Sequence, residues 1–298
     1  MNQNTIIIGK GLSALATSLA LAELGINIEL YIGNENHKNT NLVTFLSRNS
    51  LEFLKKIDSQ KFNLKQYETI DEIECLHFDK KSNNESILNF ASKENECLGK
   101  IVPNNDLYNL MLSKAYSTSN IKIHKDTITK IDKNNDNVIL EINGNKKIKS
   151  DFIILADGKN PSIKKALTKN MIHKNFNQIA LSIRINASRK IHNKAFQYFT
   201  KDGPLALLPF LNNSSSIIWS LNKNSSILNL SKDDLKNKIE YIIRSECESI
   251  SIQSIERFEL SFQYAKKLFY SNCLLVGDTA HTIHPIAGQG MNLTIKDI

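Results

Sequence analysis

The chain opens on an apolar run, Thr5 to Ile8, that breaks at Gly9 and Gly11 into an Ala- and Leu-rich stretch. After Gly25 a second apolar run ends near Tyr31. A short apolar run, a glycine turn, helical spacing and a second run is the order of a βαβ unit. A helical segment is expected around Leu51 to Ile57, followed by a charged, irregular middle. In LGKIVPNNDLYNLMLSKA the spacing of Leu107, Leu110, Met111 and Ala115 predicts an amphipathic helix. Strands then dominate: IKIHKDTITKI, NVILEI and KSDFIILADG read as a meander, with Asn143-Gly144 as a turn. QIALSIRINA, AFQYFTKDGPLALLPFL and SIIWSL read as further sheet, with Trp219 in its core. Ser231 and Asp234 stand in capping spacing ahead of the helical LKNKIEYIIRSE. Near the end an apolar run reaches Gly277-Asp278, and a helix is expected from about Gly290.

Composition narrows the class. With 298 residues and 41% hydrophobic content the chain can bury a large core, and its length favours two domains. The formal charge is +8, but the lysines are scattered among asparagines and form no strip, so nucleic acid is not expected as a partner. The four cysteines include no CxxC pair, which argues against a disulfide framework and for a reducing compartment. Ser13, Thr17, Ser18 and Glu23 interrupt the first apolar stretch, and Pro204 and Pro209 interrupt GPLALLPFL, so neither reads as a membrane span. A cytoplasmic location is expected, with room for peripheral contact at the inner face of a membrane.

Gly9, Gly11 and Ala14 occupy the small positions of G-x-G-x-x-[GA], directly after a strand. The first permits a tight turn, the second lets backbone approach a pyrophosphate, and the third lets helix pack on strand. The acid expected at the end of the second strand to bind a ribose hydroxyl falls at Ile32; Glu29 lies inside the strand, and Glu35 or Asn34 stands just beyond it. Two further apolar runs end in Asp157-Gly158 and in Gly277-Asp278. Strand ends of a parallel sheet converge on one edge, where ligands bind. His281 and His284 beside Asp278 lack a third ligand at recognisable spacing, so no metal site is expected.

On GPLALLPF, SIIWSL and LVGDTAHTIHPIAGQGMNL, the chain resembles the flavin-dependent aromatic hydroxylases, and within them the ubiquinone-biosynthesis hydroxylases. The resemblance implies an α/β fold: an interrupted, Rossmann-like FAD-binding domain over residues 1–72, 100–175 and 268–298, and a sheet-based substrate domain over 73–99 and 176–267. It implies FAD, with NAD(P)H as co-substrate, and hydroxylation of a polyprenylated phenol ring, among other ubiquinone-biosynthesis proteins. Gly9, Gly11 and Ala14 would hold the pyrophosphate, with Glu35, Asp157, Gly158, Gly277 and Asp278 completing the cofactor contacts. Pro285, Gly288, Gln289 and Gly290 would bring backbone and a helix end to the flavin ring; Pro209, Phe210 and Pro285 would line the pocket. With oxygen chemistry carried by the flavin, no catalytic triad is expected.

Departures from the family pattern bear on activity. Leu42 and Asn105 stand where arginines are usual, with Arg48 near the first, and Pro161 and Lys164 replace a serine and an arginine. The pattern continues well beyond the Gly-Gln-Gly segment, so the chain reads as cut short and its activity as impaired. Two other readings remain open: a non-catalytic assembly subunit of a biosynthetic complex, and an FAD-dependent isoprenoid reductase.

Overall fold

The computed structural model describes residues 5–34, 39–78, 85–94, 96–133, 137–157, 171–270, 272–284 and 288–298. β1 (Thr5–Ile8), α1 (Leu12–Glu23) and β2 (Ile28–Tyr31) form the expected βαβ unit, with Ile6 opposite Glu29 in parallel register. β3 (Val43–Ser47) leads into α2 (Arg48–Ile57), where the Ser47 side chain accepts from the Ser50 amide and so starts the helix. The charged stretch that follows is not irregular: it holds β4 (Thr69–Ile70), β5 (Glu72–His77) and β6 (Glu85–Ala91). Every residue of β6 is exposed, so burial imposes no alternating pattern on it. β7 (Gly99–Pro103) then enters the expected α3 (Asn104–Ser117), which buries Leu107, Met111 and Ala115.

IKIHKDTITKI does not form one strand. It divides into β8 (Ile121–His124) and β9 (Ile128–Lys133), which join different sheets. β10 (Val138–Ile142) and β11 (Lys146–Ser150) complete a three-stranded meander with β9, and β12 (Ile153–Leu155) returns to the parallel sheet. β13 (Met171–Ala187), β14 (Lys194–Thr200), β15 (Gly203–Leu211) and β16 (Ser214–Asn222) follow. α4 (Lys232–Ile242) starts at Ser231, whose Oγ accepts from the Asp234 amide at 3.1 Å, as its spacing predicts. β17 (Ile250–Ala265), β18 (Phe269–Tyr270), β19 (Cys273–Leu275), a 3-10 turn at Gly277–Thr279, β20 (His281–Thr282) and α5 (Gly290–Asp297) close the chain.

Two large sheets organise these elements. The first has the order β18-β19-β12-β1-β2-β8, parallel except for β18. The second runs β20-β17-β13-β16-β15-β14-β5-β6 and is antiparallel except where β14 meets β5. On one face of the second sheet Leu181, Ile183, Trp219 and Leu207 pack with Leu235, Ile239 and Ile242 of α4. Its other face meets the small sheet β3-β7-β4, where Phe45 and Ile101 pack against Ala206, Leu208 and Phe210. The neighbouring residues Leu46 and Val102 turn the opposite way, into the core of α1, α2 and α3. Strand alternation thus makes the small sheet a layer between the two halves. Trp219 is fully buried, as expected.

Candidate functional site

β12 pairs with β1 on one side and β19 on the other, all three parallel, so their C-terminal ends lie side by side. Beyond those ends come Gly9, Asp157 and Gly277. The Ala156 amide donates to Ile8 O and the Val276 amide to Leu155 O, carrying the pairing to the last residue before each turn. Gly9 has φ +152°, and a Cβ there would sit 2.8 Å from the Ala156 carbonyl and 3.0 Å from the Ala14 Cβ. Both the backbone angle and the space require glycine, and a small residue at 14 lets α1 close onto this edge.

Two helices begin at the same edge. α1 starts at Gly11 and α5 at Gln289, each without a side-chain cap among the described residues and without an acid in its first turn. A Cβ on Gly11 or Gly290 would meet nothing within 4 Å among the described residues, which leave the approach to both helix starts open. Uncapped amides and the positive end of the helix dipole suit an anion. Ser13 Oγ of α1 lies 3.4 Å from Thr294 Oγ1 of α5, so the first turn of α1 meets the second turn of α5.

The Gly277–Thr279 turn is held from several sides. Gly277 has φ +62°, and a Cβ would come within 2.2 Å of Ser13 Oγ and 2.9 Å of Thr294 Oγ1. Its amide donates to Asp297 Oδ2 at 3.0 Å, and the same oxygen lies 2.7 Å from His281 Nε2. The Asp278 carbonyl accepts from Gln263 Nε2 and Thr282 Oγ1, leaving residue 278 at the exposed rim. The hydrogen bond to Asp297 raises the His281 pKa, whereas burial lowers that of His284. His284 Nε2 instead lies 3.0 Å from Gln178 Oε1. Among the described residues no group of three or more His, Cys, Asp or Glu is placed to hold a metal.

The face of the eight-stranded sheet that meets the small sheet, away from α4, carries a group of buried polar atoms. Ser182 and Arg184 alternate with Leu181, Ile183 and Ile185, which face α4, and Ser216 alternates with Ile217 in the same way. Ser182 Oγ, Arg184 Nε, Ser216 Oγ, Asn41 Nδ2 and His284 Nδ1 are buried without a hydrogen-bond partner among the described residues. Asn41 joins them because its amide donates to Glu256 Oε2 and its Oδ1 accepts from Ser254 Oγ, on the strand beside Ser182 and Arg184. The Arg184 guanidinium lies 5.3 Å from the Phe210 ring centroid. A buried polar atom left unpaired costs about 1–3 kcal/mol, so a row of them suits a ligand that carries oxygen.

The residues singled out in the sequence now have places. Gly9, Gly11, Ala14, Asp157, Gly277 and Asp278 share one sheet edge, with Gln289 and Gly290 at the adjoining helix start. Gly288 lies against β3, where a Cβ would be 3.2 Å from the Phe45 nitrogen, so its small size serves packing. Pro209 and Phe210 do not point together: alternation turns Pro209 the way of Leu205 and Leu207, toward α4, and Phe210 toward the small sheet. Glu29 accepts from Tyr31 Oη at 3.3 Å, and burial, then Glu29, push the Tyr31 pKa up to about 12. Asn34 donates its amide to Thr127 Oγ1. Arg48 pairs with Glu52 and Glu96 at the surface, and Asn105 exchanges two hydrogen bonds with the backbone of Thr40. Glu35, Gly158, Pro161, Lys164 and Pro285 lie outside the described residues.

Sequence reasoning missed Asn292. Its Oδ1 accepts from the Ser47 amide at 2.9 Å and from Ser50 Oγ at 2.7 Å, and its Nδ2 donates to Phe45 O at 2.7 Å. It fastens α5 to the start of α2. Arg184, Ser182 and Asn41 were missed as well; only their departure from apolar surroundings could have marked the two on β13.

A parallel sheet with a glycine turn at its first strand, joined through a small sheet to a broad antiparallel one, is the fold of the FAD-dependent monooxygenases. Solved structures bear this out: a probable FAD-dependent monooxygenase, PqsL from Pseudomonas aeruginosa, superposes with a TM-score of 0.79 at 15% identity, covering 99% of this chain and 83% of that one. Aklavinone-11 hydroxylase, solved with FAD and aklavinone, gives 0.73 at 11% identity, covering 99% and 60%. Residues 2–298 match the family model described as FAD binding domain, and the chain belongs to that family. It is similar to 3-demethoxyubiquinol 3-hydroxylase of Escherichia coli, 30% identical over 161 residues that cover 53% of this chain and 41% of the relative. It is also similar to the mitochondrial ubiquinone biosynthesis monooxygenase COQ6 of Drosophila melanogaster, 24% identical over 305 residues that cover 87% and 62%. The chain thus spans about 40 to 60% of the length of these curated relatives. The donor set fits the family's cofactor: open helix starts for a pyrophosphate, and carboxylates, which only accept, for hydroxyl groups. Among the described residues no helix is long and apolar enough to cross a membrane.

Proposed function

We propose that this chain is the FAD-bearing part of a monooxygenase that hydroxylates the ring of a polyprenylated phenol in ubiquinone biosynthesis, with NAD(P)H as reductant. The observation that carries the reading is the meeting of the β1, β12 and β19 ends with the open starts of α1 and α5. In this reading the amides around Gly11 to Ala14 bind the pyrophosphate, and Asp157 and Asp278 accept from hydroxyls of the cofactor. Bound FAD supplies the reduction and activation of oxygen. The first turn of α5 offers its amides to the flavin's pyrimidine edge, where negative charge is best stabilised. The division into FAD-binding segments 1–72, 100–175 and 268–298 and substrate segments 73–99 and 176–267 belongs to the same proposal.

The substrate's part follows from the orphaned polar atoms. Arg184 Nε–H and Asn41 Nδ2–H are donors for a phenol oxygen, and Ser182 and Ser216 can donate or accept. Phe210, Leu208 and Ala206 supply an apolar wall for the ring and its prenyl substituent. Such a site excludes water around the reacting carbon while holding its orientation.

Anaerobic and aerobic turnover test this reading. Purified chain that carries FAD and consumes oxygen and NAD(P)H only when a prenylated phenol is added supports it. FAD without oxygen consumption favours a reductase, and a stably folded chain that takes up no FAD favours an assembly role.

A further inference from the structure

Asp297 occupies a position that helix stability does not explain. It lies in the last turn of α5, where a carboxylate faces the negative end of the dipole. Its side chain is only 14% exposed, so it needs donors in place of water. Among the described residues it has two, both from the segment that carries Asp278: the Gly277 amide at 3.0 Å and His281 Nε2 at 2.7 Å, on one oxygen, Oδ2. Gly277 opens the 3-10 turn and His281 follows it by two residues, so one carboxylate grips the segment before and after Asp278.

We infer that Asp297 is a positioning residue, whose carboxylate holds the Gly277–Asp278 turn in the shape that presents Asp278 to FAD and couples that hold to the protonation of His281. The inference rests on the reading that Asp278 faces FAD. Among the described residues, the groups facing His281 are Asp297 on α5, Asp278 on the 3-10 turn and Tyr264, its register partner on β17. Both acids favour the imidazolium, Asp297 first. The charged pair is therefore complete at acid pH and lost as pH rises through the raised His281 pKa. The side chains of Asp297 and His281 are equally enclosed, which keeps solvent from screening the pair. Once His281 is neutral the ion pair is gone, and Asp297 keeps the Gly277 amide and an uncharged imidazole N–H as donors.

The test uses the 298-residue chain with Asp297→Asn, Asp297→Ala, His281→Gln and Asp278→Ala. Amide hydrogen exchange at Gly277 to Thr279 reads the hold without cofactor, and flavin fluorescence titration reads FAD affinity from about pH 6 to about pH 9. Asp297→Ala should speed exchange at Gly277 and weaken FAD about tenfold, with exchange in α4 unchanged. Asp297→Asn keeps an acceptor for the Gly277 amide, so it should retain protection yet lose the fall in FAD affinity with rising pH; His281→Gln should lose the same fall. Wild-type exchange at Gly277 in Asp297→Ala, or a pH slope that survives both Asp297→Asn and His281→Gln, overturns the inference. Failure of the underlying reading looks different: Asp278→Ala then binds FAD as wild type does, while Gly277 exchange still answers to Asp297.

Discussion

Ser13 Oγ and Thr294 Oγ1, 281 residues apart in sequence, approach to 3.4 Å. Gly277 lies against both. The first helix, the last helix and the third of the three converging strand ends therefore meet at one small contact, and there is no room in it for a side chain.

Gly277→Ala tests that contact. The new Cβ would fall 2.2 Å from Ser13 Oγ at a φ of +62°, so both space and backbone oppose it. A loss of about 1–3 kcal/mol in denaturant unfolding is expected, together with lowered FAD occupancy. Wild-type stability would show that the turn is not packed as described.

Asn292→Ala removes three hydrogen bonds that tie α5 to Phe45, Ser47 and Ser50. Its cost should be about 2–4 kcal/mol, since the partners at residues 47 and 50 are part-buried and lose their acceptor. Asn292→Asp keeps that acceptor but sets a carboxylate against the Phe45 carbonyl, so it should not restore stability. An aspartate variant as stable as wild type counts against the assigned geometry.

Arg184→Met should separate substrate from cofactor. Methionine fills much of the same space beside Phe210 but has no donor, so KM for the phenol should rise about tenfold or more. FAD affinity should stay as it is. If FAD affinity falls and KM does not, Arg184 serves the cofactor side and the proposed orientation of the substrate is wrong.

The pH dependence has a definite sign. The His281 pKa is raised, first through its hydrogen bond to Asp297, so its contribution to stability is full below its ordinary value of 6.5. That contribution disappears as pH rises through the raised pKa. The stability difference between wild type and His281→Gln, measured by denaturant titration, should therefore be largest near about pH 6 and shrink toward about pH 9. Comparing the two proteins cancels the opposite effect of His284, whose pKa burial lowers. A difference that grows with pH contradicts the pairing.

Local rules made part of this molecule legible in its sequence. The β1-α1-β2 unit, α3 and the Ser231 cap follow from periodicity and capping spacing, which neighbouring residues settle among themselves. β5 and β6 escaped because they run along the edge of the large sheet, where β6 is exposed on both faces and charge hides the strand. The division of IKIHKDTITKI between two sheets depends on partners far along the chain. The same holds for the site. Glycine and acid at strand ends mark the cofactor edge, because turn and ligand chemistry restrict residue type there. Asn292, Arg184 and Asp297 act only once distant segments meet, and nothing beside them in the chain announces it.

The most direct measurement is equilibrium FAD binding to wild type and Gly11→Val, with unfolding stability measured on both. A Cβ at residue 11 meets nothing within 4 Å among the described residues, so valine should change stability by only about 1 kcal/mol while obstructing the approach to α1. One FAD per wild-type chain and at least tenfold weaker binding in the variant are expected. Equal binding by two equally stable proteins would contradict the placement of the cofactor at this edge.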